Sequence, residues 1–367
     1  MKLTITREEL LAPLQAINNV VERRQTLPIL GNVLVTADDD GTMTLTATDM
    51  EVEIVVNLTA AVEQSGTVTV PARKFLDICR ALPGEAKLTF STQEEKVKLQ
   101  SGRSRFLLAT QPPAEFPSIG SFESFVEFEL TAETLSALVD GTQFAMAHQD
   151  VRYYLNGLLF EISDGLIRTV ATDGHRLALC DRPLQASNSE ERQIIVPRKG
   201  VVELMRMMSG DDEAIKVFIG ANHLKATTAR QTLTTKLVDG RFPDYERVIP
   251  RAGEKKVYAN REVLKAGLAR ASILSNEKFR GVRVVLSNNQ LMAIAHNPEQ
   301  EEAEEEIEVQ YDGDELEIGF NVSYLLDVLG VLKSEDVRVD FIDSNSSCLI
   351  QDPGDETARY VIMPMRL

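Results

Sequence analysis

The stretch "ATDGHRLAL" at 171–179 has a close echo, "ATDMEVEIV", at 47–55, and a fainter one, "AHNPEQEEA", at 295–303. Asp173 beside His175 suggests a catalytic pair until the spacing is measured. Asp49 and Asp173 lie 124 residues apart, and so do Asp173 and Asn297. An even spacing of this length marks a repeated structural unit. A turn repeated for structure has no need of a proton shuttle.

The repeat extends on both sides of the turn. Each copy opens with a short strand and a helix: "LTITREELLAPLQAINNVV", "FELTAETLSALVDGTQFAMA" and "VYANREVLKAGLARASILS". In the first, Leu10, Leu11, Leu14, Ile17, Val20 and Val21 follow the three-and-four spacing of a half-buried helix. Paired strands follow in "GNVLVTADDDGTMTLTATD", "NGLLFEISDGLIRTVATDG" and "GVRVVLSNNQLMAIAHN". Their Asp-Gly and Asn-Asn steps tolerate positive φ and predict hairpins. Then "VPARKFLDICRALP", "VPRKGVVELMRMMSG" and "FNVSYLLDVLGVLKS" predict a second helix, with Asp77, Glu203 and Asp327 in matching places. Further strands end each copy, in "FLLATQPPAEFPSI", "LTTKLVDGRFPDYERV" and "RYVIMPMRL". The predicted fold class is α+β: three tandem repeats, 1–122, 126–250 and 254–367, of two helices on mostly antiparallel strands. Strands at both ends of a unit leave sheet edges to be joined, so tandem units close into a ring or run into a filament.

With 367 residues, 43% hydrophobic and 26% charged, the chain has the composition of a globular protein of several domains. Its three cysteines, Cys79, Cys180 and Cys348, are too few and too scattered for a disulfide framework or a zinc site. A reducing, cytoplasmic setting is expected, with no export signal or membrane span. The net charge of −17 argues by itself against a polyanionic partner. Yet the helical segments are net positive and the remainder strongly negative. A face carrying Arg24, Arg73, Lys74, Arg80, Arg198, Lys199, Arg206 and Arg270 suits phosphates followed without base reading.

Several longer stretches, "TLPILGN", "SGRSRF", "MAHQDVRYYLNG", "ATDGHRLA", "VPRKGVVELMRM", "KLVDGRFPDY", "ILSNEKFRGVR" and "MPMRL", together resemble the bacterial DNA sliding clamps, the beta subunits of DNA polymerase III. The resemblance runs from Met1 to Leu367. It implies a homodimer joined head to tail as a closed ring, helices inside and sheets outside, around double-stranded DNA. It implies further partners: a clamp loader, the replicative polymerase and other proteins carrying a short clamp-binding peptide. Near DNA it places Arg24, Arg73, Gln149, Arg152, Tyr153, Arg198 and Lys199. For the peptide groove it implies Leu155, Thr172, Gly174, His175, Arg176, Leu177, Pro243, Arg247, Val248, Val361 and Met363. Tyr154, Asn321, Tyr324, Ser347, Pro364, Met365 and Arg366 surround these, with Asn345 and Cys348 toward the outer part. At the dimer interface it implies Lys74, Arg103, Arg105, Phe106 and Leu108 against Ile273, Leu274, Glu301, Glu302, Glu304 and Glu305.

Enzymatic readings fare poorly. The four histidines, His148, His175, His223 and His296, show no metal-ligand spacing, and neither a GxSxG turn nor a Walker motif is present. No cofactor is expected. Two weaker readings remain, a peptide-binding scaffold that never meets DNA and a hydrolase using His175.

Overall fold

The computed structural model describes the whole chain except residues 22–26, 121–122, 164, 185–190, 209–213, 251–252, 254 and 367. One order of elements recurs three times, with one extra strand, Ala61–Gln64, in the first run. The first run is β1 (Lys2–Thr6), α1 (Arg7–Asn18), β2 (Asn32–Ala37), β3 (Thr42–Thr48), β4 (Val52–Thr59), β5 (Ala61–Gln64), β6 (Gly66–Pro71), α2 (Ala72–Ala81), β7 (Lys87–Gln93), β8 (Lys96–Ser101) and β9 (Ser104–Ala109). The second is β10 (Val126–Thr131), α3 (Ala132–Asp140), β11 (Gly157–Ser163), β12 (Leu166–Thr172), β13 (Arg176–Pro183), β14 (Arg192–Pro197), α4 (Arg198–Met207), β15 (Ala214–Ile219), β16 (His223–Thr227) and β17 (Gln231–Lys236). The third is β18 (Lys255–Asn260), α5 (Arg261–Ala271), β19 (Gly281–Ser287), β20 (Gln290–His296), β21 (Glu302–Glu308), β22 (Leu316–Asn321), α6 (Val322–Val331), β23 (Asp336–Phe341), β24 (Cys348–Gln351) and β25 (Ala358–Ile362).

Local chemistry sets the starts of the elements. Each first helix begins under a side-chain cap: Thr6 accepts from Glu9 N–H, Thr131 from Thr134 N–H and Asn260 from Val263 N–H. These bonds satisfy backbone donors that a helix start leaves open. Helix α1 buries Leu10, Leu14 and Ile17, while Leu11 stays only half-buried. The hairpins turn at Gly41, Gly165 and Asn289, each with positive φ.

The strands form four sheets, and every named ladder between them is antiparallel, beyond the mostly antiparallel pairing expected. Two sheets have eight strands, in the orders β10-β15-β16-β17-β4-β3-β2-β6 and β14-β11-β12-β13-β25-β24-β23-β18. Each joins four strands of one repeat to four of the next. The other two, β5-β1-β7-β8-β9 and β21-β20-β19-β22, each stay within one repeat.

Because the large sheets cross repeat boundaries, the chain divides into two compact units rather than three. Unit 1 holds Met1–Leu135 and Lys199–Leu237, and unit 2 holds Ser136–Leu184, 191–198 and Val238–Leu367. In unit 1, α1 packs on β3 and β4 and against α2; in unit 2, α5 packs on β20 and β21 and against α6. Buried Leu45, Ala47, Ile54 and Val56 fill the helix-facing side of β3 and β4.

In unit 2, β11 and β14 approach so closely at Gly157 that an added Cβ would meet Val196 O at 2.6 Å and Ile195 Cγ2 at 2.8 Å. Backbone on one side leaves no easy relief. Gly157→Ala should lower stability by about 1–3 kcal/mol in urea unfolding, the usual cost of overpacking.

Candidate functional site

The repeated turn proves to be a piece of backbone engineering. Asp173 Oδ1 accepts the N–H groups of His175 (2.9 Å) and Arg176 (3.0 Å), while Thr172 Oγ1 donates to Arg176 O (2.6 Å) and accepts from Gly174 N–H (3.1 Å). The earlier copy matches it bond for bond. Asp49 Oδ1 accepts from Glu51 (2.9 Å) and Val52 (2.7 Å), and Thr48 Oγ1 donates to Val52 O and accepts from Met50 N–H. Gly174 has φ +90°, and Met50 takes φ 75° in its place. The third copy is one residue longer: Asn297 Oδ1 accepts from Glu301 N–H, with Gln300 at φ 66°. Asp173 thus spends its oxygens on its own turn and on Arg176 Nε (3.1 Å). No Asp–His dyad forms; the His175 ring instead stacks on Tyr324 with centroids 6.5 Å apart.

Arg176 locks this corner. Its side chain, 12% exposed, pairs with Asp173 and Asp327 and donates to Phe144 O at 2.7 Å. Its guanidinium lies 4.5 Å from the Tyr324 ring centroid and 5.3 Å from that of Phe144. Burial, with Asp173 close by, raises the Tyr324 phenol above its ordinary pKa. Arg176, expected in the groove wall, acts as a strut beneath it. The chain's last residues are pinned alongside: Met363 N–H donates to His175 O and Met365 N–H to Gly319 O, both at 2.9 Å.

Between turn and tail lies an apolar floor. Leu155, Leu177 and Val361 are buried together with Leu349, Phe242 and Tyr245, and Tyr154 and Val248 pack against them half-buried. His175, Pro243, Arg247 and Met363 stand exposed around it, with Thr172, Gly174, Asn321, Ser347, Pro364 and Met365 half-buried and Arg366 exposed. All of these side chains belong to unit 2. The 242–249 segment packed on the floor is held by a polar network that the sequence did not announce. Tyr245 hydroxyl donates to Glu161 (2.9 Å) and accepts from Arg168 Nη1 (3.1 Å), while Arg168 grips Asp181 at 2.6 and 2.9 Å. Burial pushes the Tyr245 hydroxyl up to about 12. The Phe-Pro step at 242–243 marked this segment in the sequence, but a long-range tyrosine network has no local signature. Cys348 is fully buried, so it does not reach the groove surface, whereas Asn345 is exposed.

The residues expected near DNA divide. Arg73 and Lys74 are exposed on α2, and Gln149 and Tyr153 are exposed in the 148–155 loop. Arg152 folds back over the turn, pairing with Asp150 (2.9 Å) and approaching Asp173 O (3.4 Å). That pairing holds the Asp150 carboxyl down at about 2. Arg198 donates to Met146 O (2.9 Å) and Ala147 O (3.2 Å), and burial lowers its pKa. Lys199 is tied to Asp49 and to Val20 O. These three have structural duties as well as charge. Arg24 lies outside the described residues.

The two sheets confined to one repeat end in strands of opposite character. On β9, Arg103 precedes exposed Arg105, Phe106 is half-buried, and Leu107 is 56% exposed. Leu108, expected to face a partner, is only 7% exposed because strand alternation turns it into its own core. On β21, Glu302, Glu304 and Glu306 are exposed, whereas Glu305 is held by Arg270 at 2.7 Å and Glu301 caps the Asn297 turn. Ile273 is 75% exposed and Leu274 half-buried, just after α5.

Models of the DNA polymerase III beta subunit match the chain as an N-terminal domain over 1–120, a central domain over 129–244 and a C-terminal domain over 246–366. A beta sliding clamp of Salmonella typhimurium is 54% identical over 368 residues, spanning all of both chains. A crystal structure of the DNA polymerase sliding clamp from Pseudomonas aeruginosa with ligand superposes with TM-score 0.97 at 50% identity over all of both chains. Caulobacter crescentus pol III beta superposes with TM-score 0.95 at 37% identity, again over all of both.

Removing the strut should differ sharply from trimming the rim. Arg176→Ala leaves Asp173 without its guanidinium and should cost about 3 kcal/mol in urea unfolding. His175→Ala, at an exposed ring, should stay within about 0.5 kcal/mol of the parent.

Proposed function

The chain belongs to the DNA polymerase III beta subunit family, the bacterial sliding clamps, and we propose that two copies join head to tail in a ring around duplex DNA. There it slides and tethers the replicative polymerase and other replication and repair proteins, including a clamp loader, through peptides held in the groove. It is a non-catalytic processivity subunit. Among the described residues no cluster of His, Cys, Asp or Glu could hold a metal, and no helix is long and apolar enough to cross a membrane. Three buried, unpaired cysteines suit the cytoplasm.

One observation carries the ring: the register of the two ladders that join repeats. Aligning the repeats through their hairpins makes Ile54, Ala178 and Ala303 equivalent, and likewise Leu233, Tyr360 and Phe106. Leu233 lies opposite Ile54, and Tyr360 lies opposite Ala178, so both junctions share one register. Edge strands β9 and β21 occupy the corresponding positions with no neighbour on their outer sides among the described residues. The same register between two chains sets Phe106 opposite the partner's Ala303, Arg105 opposite the partner's Glu304 and Arg103 opposite the partner's Glu306. The parity agrees, because Phe106 and Ala303 both turn to the helix side and the charged pairs to the outer side. Apolar contact near Ile273 and Leu274 then adds adhesion while charge fixes direction.

On this reading the three repeats, 1–122, 126–250 and 254–367, each bring two helices to the lining. Arg73, Gln149 and Tyr153 meet phosphate from exposed positions, with Arg24, Arg152, Arg198 and Lys199 adding positive potential. Contacts to phosphate fix no sequence and weaken with salt. Topology, rather than grip, retains the ring. The groove takes a leucine or phenylalanine side chain onto Leu155, Leu177 and Val361, where adaptable Met363 and Met365 stand beside the floor.

Replacing both Ile273 and Leu274 by alanine should convert dimers to monomers in light scattering; a double variant that stays dimeric refutes the interface. Loaded on nicked circular plasmid, the ring should survive a salt wash that strips it from short linear duplex. Equal loss from circular and linearised plasmid would defeat the ring model.

A further inference from the structure

Unit 1 contains the backbone of a second groove. The β4–β17 ladder repeats the β13–β25 ladder in register, and the bond that begins the tail recurs: Lys236 N–H donates to Glu51 O at 2.8 Å where Met363 N–H donates to His175 O at 2.9 Å. The same capped turn precedes both. A Phe-Pro segment accompanies each, at 116–117 and at 242–243. The outer faces nevertheless differ at three equivalent positions: Thr46 stands for Val170, Glu53 for Leu177 and Thr234 for Val361. Glu53 lies opposite Thr234 just as Leu177 lies opposite Val361. Its Oε2 accepts the N–H of Ile119 at 3.1 Å, which fastens the 116–119 segment over the sheet.

We infer that this register position decides which junction accepts a peptide: the Leu177–Val361 pair opens the groove of unit 2, and Glu53 with Thr234 shuts its twin in unit 1. The inference rests on the groove reading above and concerns its selectivity. A leucine or phenylalanine side chain laid on Glu53 would strip water from a carboxylate and displace the Ile119 N–H that satisfies it, a penalty absent over leucine and valine. Burial already raises the Glu53 pKa, and the side chain is still half-exposed, so a ligand laid over it would remove the water that remains. The proposed junction between chains obeys the same rule, since the third repeat puts Glu302 at the equivalent position. Each chain therefore offers one groove although its backbone repeats the pattern.

Native mass spectrometry of the full chain with a labelled peptide containing glutamine, leucine and phenylalanine counts the sites directly. The parent should bind one peptide per chain; binding of none would defeat the groove reading itself, whatever the variants do. A triple variant, Thr46→Val, Glu53→Leu and Thr234→Val, should bind two. If it melts like the parent and still binds one, the inference is overturned. Should the triple variant fail to fold, the reciprocal Leu177→Glu decides: it should remain dimeric while losing at least about tenfold in peptide affinity. Affinity within threefold of the parent would overturn the inference equally.

Discussion

Everything in this chain depends on backbone hydrogen bonding between the edge strands of successive repeats. A repeat by itself would expose the N–H and C=O rows of its outer strands, and such edges invite indiscriminate pairing. Here β4 takes β17 and β13 takes β25, each in the same antiparallel register. The capped turns at Asp49 and Asp173 exist to start β4 and β13 at the right residue, because a slip of one would turn every side chain to the opposite face. That explains why an aspartate recurs at this spacing while its neighbour changes from Met50 to Gly174 and from Glu51 to His175. The aspartate serves the backbone; the neighbour is free to serve something else.

With the backbone fixed, the two units solve one packing problem with different side chains. The Asp49 carboxylate is answered by Lys199 from α4, and the Asp173 carboxylate by Arg176 from its own turn, with Asp327 of α6 beyond it. Arginine's planar guanidinium also stacks on Tyr324, which a lysine does not do as well. The corner of unit 2 is therefore rigid without filling the floor between turn and tail. Cations committed to such anchors have less freedom to grip phosphate tightly, which suits a protein that must travel along DNA instead of stopping on it.

The sequence disclosed the repeated order of elements well, because helix caps, hairpin steps and the aspartate turn are local signals. Thr6, Thr131 and Asn260 each announce a helix from within a few residues. It was silent where the determinant is long-range. The division into two units follows from ladders between strands far apart in the chain, and no composition shift marks it. Strand β13 shows no alternation in "LALC" because residues 242–249 cover its outer face, and that cover is visible only in three dimensions. Leu108 and Leu107 are indistinguishable by type, so only register decides that the second is exposed and the first is core. The groove residues were legible through family resemblance rather than through physical pattern, since Leu155, Leu177 and Val361 come from three distant segments.

Two sheet edges of this acidic protein carry opposite charge. Among the sheet edges of the described residues, β9 and β21, the two proposed to meet a partner, are not alike. Two β21 edges brought together would set Glu302, Glu304 and Glu306 against one another, and two β9 edges would set Arg103 and Arg105 against one another. Like charges directly opposite on paired strands are destabilising. Only the mixed pairing relieves both, which favours the proposed head-to-tail contact over the symmetric alternatives. A heterologous contact ends in a closed ring or an endless filament according to the rotation between neighbours. Both internal junctions use one register, and the proposed contact between chains would reuse it. In the proposed ring, the charges on these two edges would need only to favour a third junction of that same register.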